Sequence, residues 1–287
     1  MNDIMRTAAL PADNTAADSE MRTHLFVSGS DIFALGHYPN NPIYPGVLIA
    51  EQFLRLAEAV AGKVFGGPAT VAAIKRIQYL DAVVPGDVLE LVASVKKSSQ
   101  DGLEIALQAR AGETVKTRAT LLCKPGMRPA SEVTAPALPA APGERTIGHR
   151  ALTEILPHRY PFLLVDVIED FQAGDWLRAR KVVNRASPLF LDGFPSSYPH
   201  GLVLESIGQA GIALYFLSRD GSQAVDIVLG SICDAELISD IPFDAVLTIE
   251  ARIERQLANG VVLSGEARIG QQVVSRVGNL IAMVDPR

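Results

Sequence analysis

Residues 36–51 have the sequence GHYPNNPIYPGVLIAE. It is a proline-rich loop that runs into a long apolar segment, VLIAEQFLRLAEAVAGKVF, which contains Glu51 near its start. Apolar residues fall on almost every face of that segment, which predicts a helix buried nearly all round. Because a carboxylate is rarely buried without a partner, Glu51 calls for an explanation.

The same pattern recurs at residues 192–205, with the sequence DGFPSSYPHGLVLE. Its apolar segment, GLVLESIGQAGIALYFL, is even more hydrophobic, and Glu205 occupies the position of Glu51. Both copies continue into a strand, a turn, an alternating strand, a hairpin and a last apolar strand, and Asn259-Gly260 is a strong type I′ hairpin signal. A loop, a buried helix and an antiparallel sheet, each occurring twice, predict an α+β fold.

These motifs resemble the signature of the 3-hydroxyacyl-acyl-carrier-protein dehydratases of fatty acid synthesis, the FabZ type of the hotdog superfamily. In the second copy, residues 155–166 (ILPHRYPFLLVD) are similar to the amino-terminal motif of that family. The tandem arrangement also resembles the dehydratase domains of polyketide synthases. The first-copy residues that carry the resemblance are His37 followed by Tyr-Pro, then Pro42, Pro45-Gly46 and Glu51.

The resemblance implies a double hotdog, with two long central helices each wrapped by an antiparallel sheet, and with the sheets continuous across the copies. Pairing the copies edge to edge also removes an exposed edge strand from each. A linker of about 20 residues, at up to roughly 3 Å per residue, is long enough for this pairing within one chain. The expected boundaries are a disordered leader at 1–20, a first repeat at 21–124, a Pro/Ala-rich linker at 125–145 and a second repeat at 146–287.

Composition argues against several classes of function. The 287 residues carry a formal net charge of −6 with no basic run longer than Lys96-Lys97, so we expect no nucleic-acid partner. The amino terminus lacks a secretory apolar block, and apolar runs fall short of a membrane span. Cys123 and Cys233 lie far apart in apolar surroundings, which indicates neither a disulfide framework nor a metal site. We expect a cytoplasmic protein with no metal and no organic cofactor.

A histidine and a buried glutamate suit the removal of water from a 3-hydroxyacyl thioester. The reaction needs a base for the α proton, a task for a histidine near its ordinary pKa, and an acid for the departing hydroxyl, a task for a desolvated glutamate with a raised pKa. We expect both glutamates in the first turns of their helices, near the positive end of the dipole. Backbone N–H groups around Gly46 and Val47 are placed to polarise the thioester carbonyl.

The resemblance implies that the histidine and the glutamate of one active site come from opposite copies. The working pair is then His37 with Glu205, helped by Gln209 one helical turn on. The second copy departs from the family pattern, because Gly193 or Leu191 stands where the histidine is expected. The other glutamate then has no histidine to face, which predicts one live site and one degenerate site per chain.

Two further groups of residues belong to these motifs. His200 stands where the family has the glycine of Pro-Gly, and it either caps or packs its helix, which we favour, or rescues the second site together with Glu51. In the family the motif of His158, Arg159 and Tyr160 shapes the acyl and pantetheine region, and a structural role is the default for all three.

The resemblance implies dehydration of (3R)-3-hydroxyacyl thioesters on an acyl carrier protein, giving trans-2-enoyl thioesters. Two alternatives stay open: a hotdog acyl thioesterase, in which a carboxylate activates water, and a noncatalytic acyl-binding or structural partner. The motif around His37 argues against the first, and the retention of a base together with a buried acid argues against the second. The copies form a pseudo-dimer within one chain, and further association into a homo-oligomer is left open.

Overall fold

The computed structural model describes residues 20–39, 41–132, 145–185, 187, 195–219 and 227–284. Residues 1–19 of the expected leader, residues 133–144 of the expected linker, and both Leu191 and Gly193 lie outside the described residues. Within the described ranges the chain forms four helices and one antiparallel sheet of twelve strands.

The two repeats contribute successive parts of this sheet. The first repeat contains β1 (Glu20–Phe26), α1 (Phe33–Gly36), α2 (Gly46–Phe65), β2 (Ala69–Tyr79), β3 (Val88–Ser99), β4 (Gly102–Ala111) and β5 (Thr114–Pro125). The second contains β6 (Ile147–Gly148), α3 (His149–Ile155), β7 (Val167–Gln172), β8 (Trp176–Val182), α4 (His200–Leu217), β9 (Ile227–Leu237), β10 (Val246–Leu257), β11 (Gly260–Ile269) and β12 (Gln272–Val284).

One strand pair joins the two repeats. The strand order is β1-β3-β4-β5-β2-β9-β12-β11-β10-β8-β7-β6, and β2 pairs with β9 at the junction. Ile77 lies opposite Ile232 and Ile74 opposite Ala235, and all four side chains are buried. The pairing therefore covers the inner edge of each sheet with apolar side chains, and the predicted α+β double hotdog with a continuous sheet is confirmed.

The two long helices are the centre of the core. Every residue of α4 is buried except Glu205 and Leu217, as the almost unbroken apolar sequence predicts. The α2 helix is buried over most of its length, with Phe53, Ala57 and Ala61 wholly inaccessible to solvent. None of the described helices combines the length and the apolarity needed to cross a bilayer.

The helix starts place the two glutamates at equivalent positions. Pro45 and Pro199 precede the first residues of α2 and α4, and neither helix has a side-chain cap. Glu51 and Glu205 are each the sixth residue of their helix, so both lie in the second turn. The expectation of the first turn was wrong by one turn, because each helix begins directly after its proline.

The backbone of α4 lies close to that of α2 at Gly201. A Cβ atom there would lie 2.6 Å from the backbone oxygen of Val47 and 3.3 Å from the Cβ of Glu51. No side chain fits in that space, since a contact under 3 Å with backbone cannot be relieved by rotating a side chain. The glycine thus sets the distance between the helices on which the two glutamates lie.

Candidate active site

A cavity of about 580 Å³ lies where the two repeats meet. His37 and Gly46 line it from the first repeat and Glu205 and Leu229 from the second, with Tyr79 forming part of the wall. Because Gly46 is the first residue of α2, its N–H has no acceptor within the helix. The cavity therefore brings together a histidine, a carboxylate and the N-terminus of a helix.

His37 is positioned by two backbone carbonyls, one bonded to its backbone N–H and one to its ring. Its N–H donates to the carbonyl of Phe33 (2.8 Å), and its Nδ1 lies 2.8 Å from the carbonyl of Ile43. A carbonyl can only accept, so Nδ1 carries the proton and the neutral ring keeps a lone pair on Nε2. Burial, followed by the charge of His158, lowers the pKa of His37 to about 4, against the opposing charge of Glu205. His37 is neutral at neutral pH and able to accept a proton.

Glu205 is bound on one carboxylate oxygen by two side chains. Its Oε1 lies 3.3 Å from Nε2 of His158 and 2.9 Å from Nε2 of Gln209. Burial alone would raise the pKa of Glu205, but the hydrogen bond and charge of His158, the charge of His37 and the bond from Gln209 together hold it below its usual range. The expected raised pKa was wrong, because the sequence did not reveal His158 as a neighbour.

Gln209 holds Glu205 and a neighbouring loop in a fixed relation. Its side-chain oxygen accepts from the N–H of Leu164 (2.7 Å), and its amide nitrogen donates to the carbonyl of Phe162 (2.8 Å) and to Glu205. All of its side-chain hydrogen-bonding capacity but one site is used, and it is fully buried. The predicted supporting position of Gln209 next to Glu205 is therefore present in the structure.

His158 was assigned a structural role from the sequence, and the structure places it at the site. Its side chain is 2% exposed, its ring centroid lies 5.4 Å from that of His37, and its Nδ1 has no hydrogen-bond partner in the part of the chain described. The polar contact of the buried His158 ring is the one between its Nε2 and Oε1 of Glu205. The signal in the sequence was the motif itself, which lies 47 residues before Glu205 and can be linked to it only by folding.

Arg159 and Tyr160 differ from their neighbour. The N–H of Arg159 donates to the carbonyl of Gly36 (3.0 Å), and its side chain donates to two carbonyls of its own loop. A Cβ at Gly36 would lie 2.4 Å from the backbone oxygen of Arg159, so glycine is required where this loop meets the start of the histidine motif. Tyr160 is 69% exposed. These contacts agree with the default structural role for Arg159.

The second glutamate has different neighbours. Oε2 of Glu51 accepts from the N–H of Gly201 at 3.1 Å, and its Oε1 lies 3.6 Å from Nε of Arg55. Burial raises the pKa of Glu51, against smaller opposing effects of Arg55 and of the Gly201 bond. The carboxylate of Glu51 thus occupies the N-terminus of α4, the long helix of the opposite repeat.

His200 packs into the core at the start of α4. Its Nδ1 lies 2.9 Å from the hydroxyl of Ser275, and its Nε2 is buried without a partner among the residues described. Burial, with a contribution from the charge of Arg128, lowers the pKa of His200 to about 3. The sequence favoured either capping or packing of the helix by His200. His200 makes no capping hydrogen bond, so its side chain has a packing role.

One group of side chains has the composition of a metal site. The ligand atoms of His37, His158 and Glu205 lie within 4.8 Å of one another, and it is the one such group in the described ranges. The same three side chains form the acid–base arrangement described above. They are therefore the residues that could hold a divalent ion, with two imidazoles and one carboxylate.

The arrangement can remove a proton from one carbon and protonate an oxygen on the next. The neutral ring of His37 can accept a proton. Glu205 is in contact with His158 and accepts a hydrogen bond from Gln209. Gly46, at the N-terminus of α2, can donate its N–H to an oxygen that gains negative charge. Fold and site together define a double-hotdog dehydratase.

Comparison with known proteins gives the family. The model of the ApeI-like family, described as ApeI dehydratase, matches residues 13–118. A FabZ dehydratase of Actinobacillus pleuropneumoniae serotype 5b is 32% identical over 127 residues, which cover 43% of this chain and 82% of the relative. One from Haemophilus ducreyi is 51% identical over 61 residues, 21% of this chain and 40% of that relative. The chain belongs to the FabZ family of 3-hydroxyacyl-[acyl-carrier-protein] dehydratases.

Solved structures share the double fold over nearly the whole chain. The dehydratase domain of RzxB from Pseudomonas fluorescens has a TM-score of 0.65 at 14% identity, covering 92% of this chain and 94% of that one. The dehydratase domain from the CurJ module of curacin polyketide synthase has a TM-score of 0.67 at 13% identity, covering 96% of each chain. At these identities the likeness concerns the fold.

Proposed function

We propose that this chain dehydrates (3R)-3-hydroxyacyl thioesters carried on an acyl carrier protein to trans-2-enoyl thioesters, at one live site per chain. The observation that carries the proposal is the meeting of His37 and Glu205, from opposite repeats, on one cavity. The stereochemistry, the carrier and the carrier-bound product rest on membership of the FabZ family. The relatives are named for action on carrier-bound 3-hydroxyacyl groups.

In this mechanism His37 takes the α proton of the substrate on Nε2. The electron pair of the broken C–H bond forms the C2–C3 double bond, and the C3–O bond breaks. The departing hydroxyl leaves as water with the proton that Glu205 shares with His158, relayed through the carboxylate. The proton now on His37 returns to that pair when the product has left, so the site regains its starting state.

The low pKa of Glu205 gives its carboxylate the role of a relay. A carboxyl that is ionised at rest has no proton of its own to donate, so we assign the transferred proton to the hydrogen-bonded pair of Glu205 and His158, which then holds one proton more than a carboxylate and a neutral imidazole. The developing oxyanion of the thioester is placed against the N–H groups of Gly46 and Val47. His37, Glu205 and His158 are thus assigned the proton transfers, and the start of α2 is assigned the carbonyl.

The test is to incubate the protein with a 3-hydroxyacyl carrier protein and to measure the loss of one water from the carrier-bound group by mass spectrometry. We expect His37→Ala and Glu205→Gln to lose activity by about 10³-fold, since each removes a proton-transfer group. Glu51→Gln is the matched control and should stay within about twofold of the wild type. If Glu51→Gln is the inactive variant, the assignment of the live site is reversed; if wild type releases free carrier without losing water, the protein is a thioesterase.

A further inference from the structure

A groove of about 460 Å³ crosses the outer face of the first repeat, over strands β1 to β5. Arg22 at its edge is paired with Glu20 and with Glu90, the one carboxylate among the lining residues. For the other cationic side chains, no carboxylate lies within ion-pair distance in the part of the chain that the structure describes. The cationic lining residues are Arg22, Arg76, Lys96, Arg110 and Arg118.

The second repeat shows what this face is like when its charges are balanced. Glu266 is the seventh residue of β11 and lies directly opposite Arg276 of β12. It accepts from Arg268 at 2.6 Å and from Arg276 at 3.2 Å. Arg276 also lies 3.7 Å from Glu236, so two carboxylates balance two arginines on the outer face of the second repeat.

The first repeat keeps the arginines and lacks both carboxylates. Gln108 is the seventh residue of β4, the position of Glu266 in β11, and lies directly opposite Arg118 of β5. Arg110 and Arg118 hold the same places in their strands as Arg268 and Arg276. Nε of Arg110 is buried and has no partner among the described residues. Gln78 is likewise the tenth residue of β2, the position of Glu236 in β9, so two amides in place of two acids leave the two guanidinium groups unbalanced.

The groove and the cavity lie on opposite faces of the same strand pair. Tyr79 is paired with Thr117 and both line the cavity, whereas Gln78 is paired with Arg118 and both line the groove. Leu80, the next residue along, lines the cavity and is 48% exposed, so the cavity reaches the surface at this end of β2. A partner seated in the groove would therefore stand next to the cavity mouth.

We propose that this groove receives an acidic surface of the carrier protein that presents the substrate. The inference rests on the proposed function, since it names the surface that binds the carrier of that reaction. The chain as a whole has a net charge of −6, but the unbalanced arginines make this groove locally positive. A locally positive groove attracts a partner surface rich in carboxylates. Arginine also pairs with carboxylates through two parallel hydrogen bonds, which orients the partner. The groove supplies attraction and orientation, and the cavity supplies the chemistry.

The experiment compares one 3-hydroxyacyl group on two carriers. The first is a bacterial acyl carrier protein of fatty acid synthesis in its phosphopantetheine form, and the second is the uncharged thiol N-acetylcysteamine. We expect Arg76→Glu/Arg118→Glu to lower kcat/KM about 10-fold or more with the carrier protein, with a weaker salt dependence. With the N-acetylcysteamine thioester kcat/KM should remain at the wild-type value, because the groove does not touch that substrate.

Matched variants separate this surface from general charge effects. Gln108→Glu restores the carboxylate present in the second repeat and should lower kcat/KM for the carrier-linked substrate by about 3-fold. Glu266→Gln changes the charge of the other face and should have no effect on either substrate. Equal losses with both substrates, or no loss with the carrier, would overturn the proposal.

Direct binding distinguishes failure of docking from failure of the reaction. Anisotropy of a fluorescently labelled carrier, titrated with protein, should show binding that weakens with salt and is lost in Arg76→Glu/Arg118→Glu. If wild type dehydrates neither substrate but binds the carrier in this way, the proposed reaction fails and the docking surface stands. If the wild type dehydrates the N-acetylcysteamine thioester and binds carrier as tightly as the variant does, the docking surface fails and the reaction stands.

Discussion

Glu205 and Glu51 occupy the same position in two similar buried helices, yet their surroundings differ in almost every respect. The residue one turn on is Gln209 in one case and Arg55 in the other. Glu205 has His158 at 3.3 Å, and His37 lies in the same group of ligand atoms, whereas Glu51 binds the N–H of Gly201. The pKa of Glu205 is lowered and that of Glu51 is raised.

The difference lies in the donors that each carboxylate contacts. A carboxylate that has imidazole neighbours can take part in proton transfer, and the cavity that Glu205 lines also contains Gly46, the first residue of α2. A carboxylate without them turns to the nearest donor, which for Glu51 is the start of α4. The contact of Glu51 with Gly201 agrees with the proposal of one live site per chain, and it involves no large change in the fold.

The largest expected effect in this comparison comes from the residues one turn after the glutamates. Gln209→Ala removes the donor to Glu205 and two bonds to the neighbouring loop, so kcat should fall by about 100-fold as the carboxylate moves from its place. Arg55→Gln is the control, and its activity should match wild type because its partner is Glu51, outside the proposed live site. Steady-state kinetics on both variants measures this, and a larger loss in Arg55→Gln would contradict the comparison.

The glycines at the helix starts should separate stability from activity. Gly201→Ala places a Cβ against the backbone of Val47, and we expect a cost of about 1–3 kcal/mol, or a Tm lower by about 5 °C. In Gly46→Ala the three nearest atoms all belong to the ring of Tyr79, the first at 2.7 Å, and none of them is backbone. Its Tm should change less and its kcat more. Thermal unfolding together with kinetics tests the pair, and an unchanged Tm in Gly201→Ala would show that the helices can separate freely.

The pH profile should separate the roles of His37 and His158, which contact each other beside Glu205, from that of His200, which packs at the start of α4. His37 must be neutral to accept a proton, so kcat/KM should be lost only as the pH falls toward its pKa of about 4. The charge of His158 helps to lower that pKa, so His158→Gln should move the acid limb to higher pH. A matched variant, His200→Gln, should leave the limb in place. Circular dichroism at each pH distinguishes titration from unfolding, and an unmoved limb in His158→Gln would remove His158 from the mechanism.

Metal removal should have the smallest effect. His37, His158 and Glu205 have suitable atoms for an ion, but the proposed proton transfers use the same atoms without one. Prolonged dialysis against EDTA should leave kcat within about twofold of the untreated protein. Loss of activity that is restored by one divalent metal would assign the group as a metal centre.

Much of this organisation was predictable because it depends on periodicity and repetition. The buried helices, the turns, the hairpins and the pseudo-twofold arrangement followed from apolar patterning, and Glu51, Glu205 and His37 were singled out as residues that a core does not need. Gln209, one helical turn after Glu205, was named together with the pair that the resemblance implies. The pairing of His37 with Glu205 depended on the resemblance to a family.

Other features required coordinates. The sequence placed His158 in a motif 47 residues from Glu205, and no periodic rule links a loop to a helix in another layer. The pKa of Glu205 was therefore expected above its usual value, whereas it lies below it. Its direction depends on whether the neighbouring His158, His37 and Gln209 outweigh the effect of burial. The contact of Glu51 with the N–H of Gly201 was equally invisible, because it joins two helices.

The sequence by itself determined which segments are buried, where the chain turns and that the whole pattern occurs twice, because these depend on the order of apolar and polar residues along one strand or helix. The tertiary structure decided which carboxylate meets imidazoles, which one meets a helix N-terminus, and which arginines lack a balancing acid. Those outcomes depend on distances of about 3 Å between residues far apart in the chain, and electrostatic interactions at such distances are settled only when the elements pack.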